Sequence, residues 1–447
     1  MDHIEAESFH LVGQSKFAKM KSAGSYFQSG DVLYGRLRPY LNKVHRAKFE
    51  GVASAEFIVL PASEFYDSDF VKYLLHQRIF VDFAMSRSSG DRPRVKFDGI
   101  SDFEFLLPPL NEQRRIVEKI ETLFARLDKG EEALREVQKL LARYRQSVLK
   151  AAVTGELTAD WRAENAHRLE HGRDLLARIL KTRRETWQGR GKYKEPAPLK
   201  TKGLPQLPES WAWVRVDTAG DVLLGRQRAP QYHAGELMRP YLRVANVFED
   251  RLDLSDVKRM NFDEAHFEKY KLEPGDILLN EGQTPDLVGR PAMFRGEIPD
   301  CCFQKTLHRF RPSKWVHGEF ALAVFRSYMH NRRFKKAASI TTNIAHLTLS
   351  KFVEIEFPVP PIEEQEETVS RLSAELSRIE KVEYFCMSEG VRSTALRQSI
   401  LRDAFSGRLV RQDPTDEPAT ELIARIKAAG SAACKKSSRK APAKVAS

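Results

Sequence analysis

The sequence predicts an α+β fold: two mixed α/β domains in tandem repeat, joined by two long helices that form an antiparallel coiled coil. Three features predict it: an internal repeat, an apolar seam at helical spacing in each copy, and short strand-like runs punctuated by Gly and Pro. Residues 105–157 match residues 357–409 at a constant offset of 252, without a gap. Phe105, Pro108, Pro109, Glu112, Gln113, Arg126, Arg145, Gln146, Ser147, Leu149, Ala152, Gly155 and Leu157 recur as Phe357, Pro360, Pro361, Glu364, Gln365, Arg378, Arg397, Gln398, Ser399, Leu401, Ala404, Gly407 and Leu409. Weaker matches lie outside this block. Gly30-Asp31-Val32-Leu33 resembles Gly275-Asp276-Ile277-Leu278, Phe70 to Leu75 resembles Phe320 to Phe325, and Leu175-Leu176-Ala177-Arg178-Ile179 resembles Leu422-Ile423-Ala424-Arg425-Ile426.

In chain order, residues 1–107 form the first globular domain. Gly30 has only 29 residues before it, whereas Pro208, at the start of the second copy, precedes Gly275 by 67. Met1 therefore aligns near Val244, and the first domain is expected to be shortened at its N-terminal side. Residues 108–153 form the first spacer helix. Pro108-Pro109 suits a helix start, Asn111 suits an N-cap, and Glu112 suits the positive end of the dipole. Ile116, Ile120, Leu123, Leu127, Gly130, Leu134, Val137, Leu141, Tyr144, Val148 and Ala151 then alternate at spacings of four and three, a coiled-coil seam with a break expected at Gly130. Residues 154–206 are a helical and basic linker.

The second globular domain spans residues 207–359. Strands are expected around Val214-Arg215-Val216, Tyr241-Leu242-Arg243-Val244, Asp276-Ile277-Leu278-Leu279 and His308-Arg309-Phe310, with a helix over residues 318–337. Residues 360–405 form the second spacer helix. Its seam is Leu372, Leu376, Ile379, Val382, Cys386, Leu396 and Ile400, with a break expected at Glu389-Gly390. Each long helix runs about 40 residues, or roughly 60 Å. A C-terminal segment, 406–428, and a disordered basic tail, 429–447, complete the chain.

Composition narrows the function. The chain has 447 residues, 42% hydrophobic and 30% charged, and a formal charge of +12. Residues 181–203 carry +6 and residues 429–447 carry +5, so the rest is nearly neutral and a nucleic-acid footprint must be a local patch. No run suits a membrane helix or a signal peptide, and the chain is expected to be cytoplasmic, without a membrane partner. Four cysteines give neither a disulfide framework nor a Cys-x-x-Cys metal pattern. There is no P-loop, no Gly-x-Gly-x-x-Gly after a strand, no adenine-methyltransferase tetrapeptide and no Gly-x-Ser-x-Gly elbow. His308 and His346 lack metal-ligand spacing. Asp276, Glu281 and Gln283 loosely match a nuclease carboxylate set, but a Gly-Asp turn shared by both copies explains Asp276 better.

Two copies of Pro-Pro-Leu/Ile-x-Glu-Gln, each leading into a long helix that ends near Gly-x-Leu, strongly resemble the specificity subunit of type I restriction-modification systems. Asp160-Trp161-Arg162, the entry Leu207-Pro208-Glu209-Ser210-Trp211-Ala212-Trp213 and Asp416-Glu417-Pro418-Ala419 strengthen the resemblance, which covers residues 1–426. It implies that each globular domain is a target-recognition domain reading one half of a split double-stranded DNA site. It also implies that the helices are a spacer and a platform for two methyltransferase subunits. The chain itself would be non-catalytic and bind no cofactor. S-adenosylmethionine, ATP and Mg are expected on the methyltransferase and motor-nuclease (restriction) partner subunits.

Under that reading, the DNA-contact candidates lie in two loops of each copy, because phosphates and base edges are met by Arg, Lys, Asn, Gln, Ser and Thr. The first pair of loops supplies Arg87, Ser89, Arg92 and Arg94 in copy one, and Thr341, Thr342, Asn343 and His346 in copy two. The second pair supplies Arg36, Arg38 and Lys43 in copy one, and Asn280, Gln283, Thr284 and Arg290 in copy two. Lys336, with Arg332, Arg333 and Lys335, suits phosphate neutralisation. A coiled-coil adaptor that binds no DNA, or an inactive truncated specificity subunit, is the alternative, and a stand-alone nuclease is a more distant one.

Overall fold

The computed structural model describes residues 3, 4, 6, 11–13, 24–186, 192–341 and 343–438. The chain divides into two compact units, Met1–Val137 with Phe385–Ser447, and Gln138–Tyr384. Helix and strand are mixed throughout, as the sequence predicts. Among the described residues no helix is long and apolar enough to cross a membrane.

Unit 2 is built on a four-stranded antiparallel sheet in the order Pro291–Met293, Ile277–Asn280, Leu307–Pro312, Gly220–Leu224. Ile277 and Leu279 face one core, with Phe310, Phe320, Phe325 and Phe357. Leu278 faces the other, with Leu242, Phe294 and Phe303. Such two-sided burial explains the unbroken apolar run at residues 277–279. The helix expected at 318–337 is Gly318–His330 followed by Arg333–Ala337. Arg326 on the longer helix donates to Glu249 at 2.9 Å, and His330 meets the same carboxylate at 2.9 Å. Burial pushes the Glu249 carboxyl up, but the His330 hydrogen bond and the Arg326 charge outweigh it and bring it to about 2. A depressed carboxylate contributes stability above its unfolded value, and that stability is lost as pH falls through the folded one. Glu249→Gln should therefore flatten the fall in unfolding free energy between about pH 5 and pH 3, by on the order of 1–2 kcal/mol. Urea unfolding at stepped pH measures it, and parallel curves for the two proteins would contradict it.

Unit 1 repeats the scheme with three antiparallel strands in the order Val44–Arg46, Val32–Gly35, Phe57–Leu60, packed against Phe80 and Leu75. Gly220–Leu224 has no strand counterpart among the described residues of unit 1, nor has Ala212–Arg215. The second difference shows in packing. In unit 2, Glu356–Val359 pairs with Ala212–Arg215 and Phe357 is 0% exposed. The equivalent Phe105 is 45% exposed.

The Gly-Asp turn recurs hydrogen bond by hydrogen bond. Gly30 and Gly275 have φ of 97° and 98°, a left-handed conformation that favours glycine. Asp31 accepts the Gln28 amide and Asp276 the Glu273 amide, each at 2.8 Å. Asp276 is also paired with Arg311 at 2.7 and 2.8 Å. Its carboxylate is thus committed to the turn.

The long helices are Leu110–Thr154 and Ile362–Phe405. The breaks expected at Gly130 and Glu389-Gly390 do not occur; both glycines sit within continuous helix, at a cost of about 1 kcal/mol each that long helices absorb. The repeated Gln fastens each helix start to its own domain. In unit 1, Gln113 accepts the amide of Asp67, the N-cap of helix Ser68–Leu75, at 2.9 Å and donates to the Pro108 carbonyl at 2.9 Å. In unit 2, Gln365 accepts the amide of His317, the residue capping Gly318–His330, at 2.7 Å and donates to Trp315 and Pro360 at 2.8 Å. The preceding Glu364 is fully buried and binds Thr158 at 2.8 Å and Arg162 at 2.5 Å. In unit 1, Arg115 holds Asp416 at 2.6 Å.

The repeated arginines tie one long helix to the other within each unit. Arg145 reaches Glu383 at 2.9 Å in unit 2, and Arg397 reaches Glu131 at 3.0 Å in unit 1. Both residues of the first pair sit 252 positions from those of the second. Of the first seam, Ile116, Ile120 and Val148 are buried and Leu123, Leu127, Leu134 and Leu141 half-buried; of the second, Leu372, Ile379 and Cys386 are buried. Val137 and Tyr144 are exposed. Residues 429–438, expected as disordered tail, continue the helix Ala419–Ser438, favoured by its alanines. Residues 439–447 lie outside the described residues.

Candidate nucleic-acid interface

The two loop candidates of each copy meet on one backbone frame. In unit 1 the chain leaves strand Val32–Gly35, and the Arg36 amide donates to the Glu56 carbonyl at 2.9 Å. The Arg36 carbonyl accepts Val95 at 3.1 Å, Leu37 bridges to Arg94, and the Arg38 amide donates to Pro93 at 2.7 Å. In unit 2 the Glu281 amide donates to Thr306 at 2.9 Å and its carbonyl accepts Leu347 at 2.8 Å. Gly282 pairs with His346 and Gln283 with Ala345. Gly35 donates to the Lys43 carbonyl and Asn280 to that of Arg290. Arg36, Arg38, Lys43, Glu56 and Arg94 are thus the positional equivalents of Glu281, Gln283, Arg290, Thr306 and His346. The main chain is kept while the polar side chains change.

In unit 1, Ser89 and Arg94 exchange two backbone hydrogen bonds of 3.3 Å, closing a hairpin whose Gly90 has a φ of 88°. Arg36, Arg87, Arg92, Arg94 and Lys96 line a groove of about 510 Å³. Arg87 lies over the Phe83 ring at 5.3 Å. Arg94 is held by Glu56 through two hydrogen bonds, 3.1 and 2.8 Å, which keep the Glu56 carboxyl below the usual carboxylate range. Arg38 is exposed, with a left-handed φ of 53°. Lys43 is half-buried and does not line the groove.

In unit 2, Gly282–Gln283, Ile344–His346 and Ser339–Thr341 make a three-stranded sheet. It gathers Gln283, Thr341 and His346, with Asn343 exposed at the hairpin turn; Thr342 lies outside the described residues. His346 meets Glu281 at 3.3 Å. Thr284 is exposed and its amide is turned onto the Gln283 side chain at 3.0 Å. Lys336 is exposed, on a short helix tied to the neighbouring loop by Lys335–Asp286 at 3.0 Å. Arg333 is not available in the same way, because Glu356 holds it at 2.5 and 2.6 Å. Two candidates are corrected. Asn280 is fully buried in its strand and offers no edge to a duplex. Arg290 is half-buried against the Phe248 ring at 4.6 Å, and burial lowers its guanidinium from the ordinary value.

Glu56 and Lys96 were not singled out from the sequence. Lys96 continues a basic run that could have flagged it. Glu56 had no local signal, since pairing of Val32–Gly35 with Phe57–Leu60 brings it to the site. His308 is buried, stacked on Phe352 at 5.3 Å, and its Nε2 meets the Leu347 carbonyl at 2.6 Å. That is a packing role. Among the described residues no three His, Cys, Asp or Glu side chains are grouped to hold a metal. What the arrangement offers is donors and acceptors on rigid hairpins, suited to reading polar edges.

Comparison with known proteins agrees with this frame. Residues 233–383 match the family described as type I restriction modification DNA specificity domain. The EcoDI specificity subunit of Escherichia coli is 25% identical over 78% of this chain and 74% of its own length. The EcoKI specificity subunit of E. coli K12 is 23% identical over 86% of this chain and 76% of its own. A chain from a solved type I restriction-modification assembly superposes with a TM-score of 0.65 at 20% identity, covering 91% of this chain and 90% of that one. The HsdS subunit from Thermoanaerobacter tengcongensis gives 0.55 at 20% identity, covering 91% and 89%. In its doubled motif, its matched domain and its curated relatives, this chain is similar to the specificity subunits of type I restriction-modification systems.

Proposed function

We propose that this chain is the DNA-reading subunit of a type I restriction-modification complex, acting in the cytoplasm on a bipartite double-stranded site. The observation that carries this reading is the conserved backbone frame with divergent polar side chains. Two readers of different half-sites need the same scaffold and different edges. Residues 1–107 and 207–359 are the two target-recognition domains. Residues 108–153 and 360–405 pair as an antiparallel coiled coil that spaces them, supported by the recurring Arg145–Glu383 and Arg397–Glu131 register.

The chain contributes recognition and no chemistry. Adenine methylation with S-adenosylmethionine belongs to two methyltransferase subunits, and ATP- and Mg-dependent translocation and cleavage to motor-nuclease subunits. The exposed apolar residues Phe385, Met387 and Val391 on the second long helix suit a protein partner. Two substitutions test the reading in the complex with the methyltransferase subunits. Asn343→Ala should relax selectivity at one base position of one half-site. Lys336→Ala should weaken binding to all duplexes and reduce the salt slope by about one. Equal losses on every duplex for both variants would refute the assignment.

A further inference from the structure

We propose that Arg94 reads a guanine in the half-site of the first unit, and that Glu56 is the positioning residue that aims it. This deepens the DNA-reading function proposed above and rests on it. A guanidinium has five N–H donors in one plane. Glu56 takes the Nε edge of Arg94 through two hydrogen bonds, 3.1 and 2.8 Å. Three donors are left, and two of them, one on Nη1 and one on Nη2, form a parallel pair on the adjoining edge. The Arg94 side chain is 47% exposed and the Glu56 side chain 29%, so the pair stands at the surface, within reach of a ligand. Both residues stand on fixed backbone. Arg94 is bridged on one side to Leu37 and on the other to Ser89, and the Glu56 carbonyl holds the Arg36 amide. The fork is therefore aimed before any duplex arrives, which lowers the entropy lost on contact.

A parallel donor pair matches two acceptors side by side. In the major groove only guanine presents them, as O6 and N7; adenine opposes one donor with its N6 amino group. A phosphate also accepts such a fork, and electrostatics decide between the two. The Glu56–Arg94 pair carries no net charge, so it releases few counterions and adds little to phosphate affinity. Arg87, Arg92 and Lys96 line the same groove, as do Asp91 and Asp98, but among the described residues none of the three is ion-paired as Arg94 is, so they suit phosphates better. Unit 2 has Thr306 and His346 at the equivalent positions and so has no such fork. The guanine is expected in one half-site alone.

The test uses the full chain with its methyltransferase subunits and a duplex library randomised across both half-sites. The wild type should select guanine by at least about tenfold at one position of one half-site. Glu56→Gln keeps the size and removes the acceptor charge, and should reduce that preference to about threefold or less. Arg94→Lys replaces a planar fork by a point charge and should do the same. In both variants the other half-site should be selected as before, which also shows that the protein is folded. An intact guanine preference in Glu56→Gln overturns the positioning role. A uniform loss over all sequences for Arg94→Lys assigns Arg94 to a phosphate and overturns the base contact. A wild type with no sequence preference anywhere overturns the DNA-reading function itself, and this inference with it.

Discussion

Four residues inserted after Val137, together with four after Gly390, should lengthen the unread gap of the DNA target and leave both half-sites unchanged. The register explains the choice of sites. In the proposed antiparallel pairing, the register of Arg145–Glu383 and of Arg397–Glu131 sets Val137 opposite Val391. Matched insertions there keep both ion pairs. Four residues add roughly 6 Å of helix. At about 3.4 Å per base pair, this is one or two base pairs of gap. An insertion in one helix alone throws the two ion pairs out of register and should abolish modification. Mapping the methylated motif reads both outcomes. Changed half-site bases with the old gap would contradict the spacer role.

Gln365→Leu should destabilise unit 2 by about 3 kcal/mol, through polar groups left unpaired and not through lost packing volume. Gln365 is 0% exposed. Its removal strips the His317 amide and the Trp315 and Pro360 carbonyls of their partner, each inside the joint between helix and domain. Leu cannot replace any of them. Gln113→Leu removes two such bonds and should cost less, about 2 kcal/mol. Denaturant unfolding followed by hydrogen exchange of Gly318–His330 separates the two sites. A change below about 0.5 kcal/mol for Gln365→Leu would mean the motif serves something other than this joint.

The repeat was legible because its most constrained residues are the ones that must be identical in both copies. Glu364, Gln365, Arg145 and Arg397 form buried or paired joints, and such joints tolerate few residue types. The candidate loops were legible as polar and divergent, and the fold does bring residues 36–38 to 89–94 and residues 282–283 to 344–346. Three things were not legible. Asn280 sits in a strand buried on both faces, where no alternation tells inside from outside. Glu56 reaches the site by a pairing between strands more than twenty residues apart. Gly130 and Gly390 looked like breaks because local propensity says so, yet each is a small cost within a helix of 45 or 44 residues held at its ends.

On the function proposed above, this chain sets a split DNA target for partner enzymes. Genome-wide mapping of methylated adenine, in a host carrying the cognate methyltransferase subunit with and without this chain, tests it most directly. A new two-part motif that appears only with the chain is the predicted result. Methylation identical in the two strains, with the chain and the methyltransferase subunit both present as a complex, would contradict it.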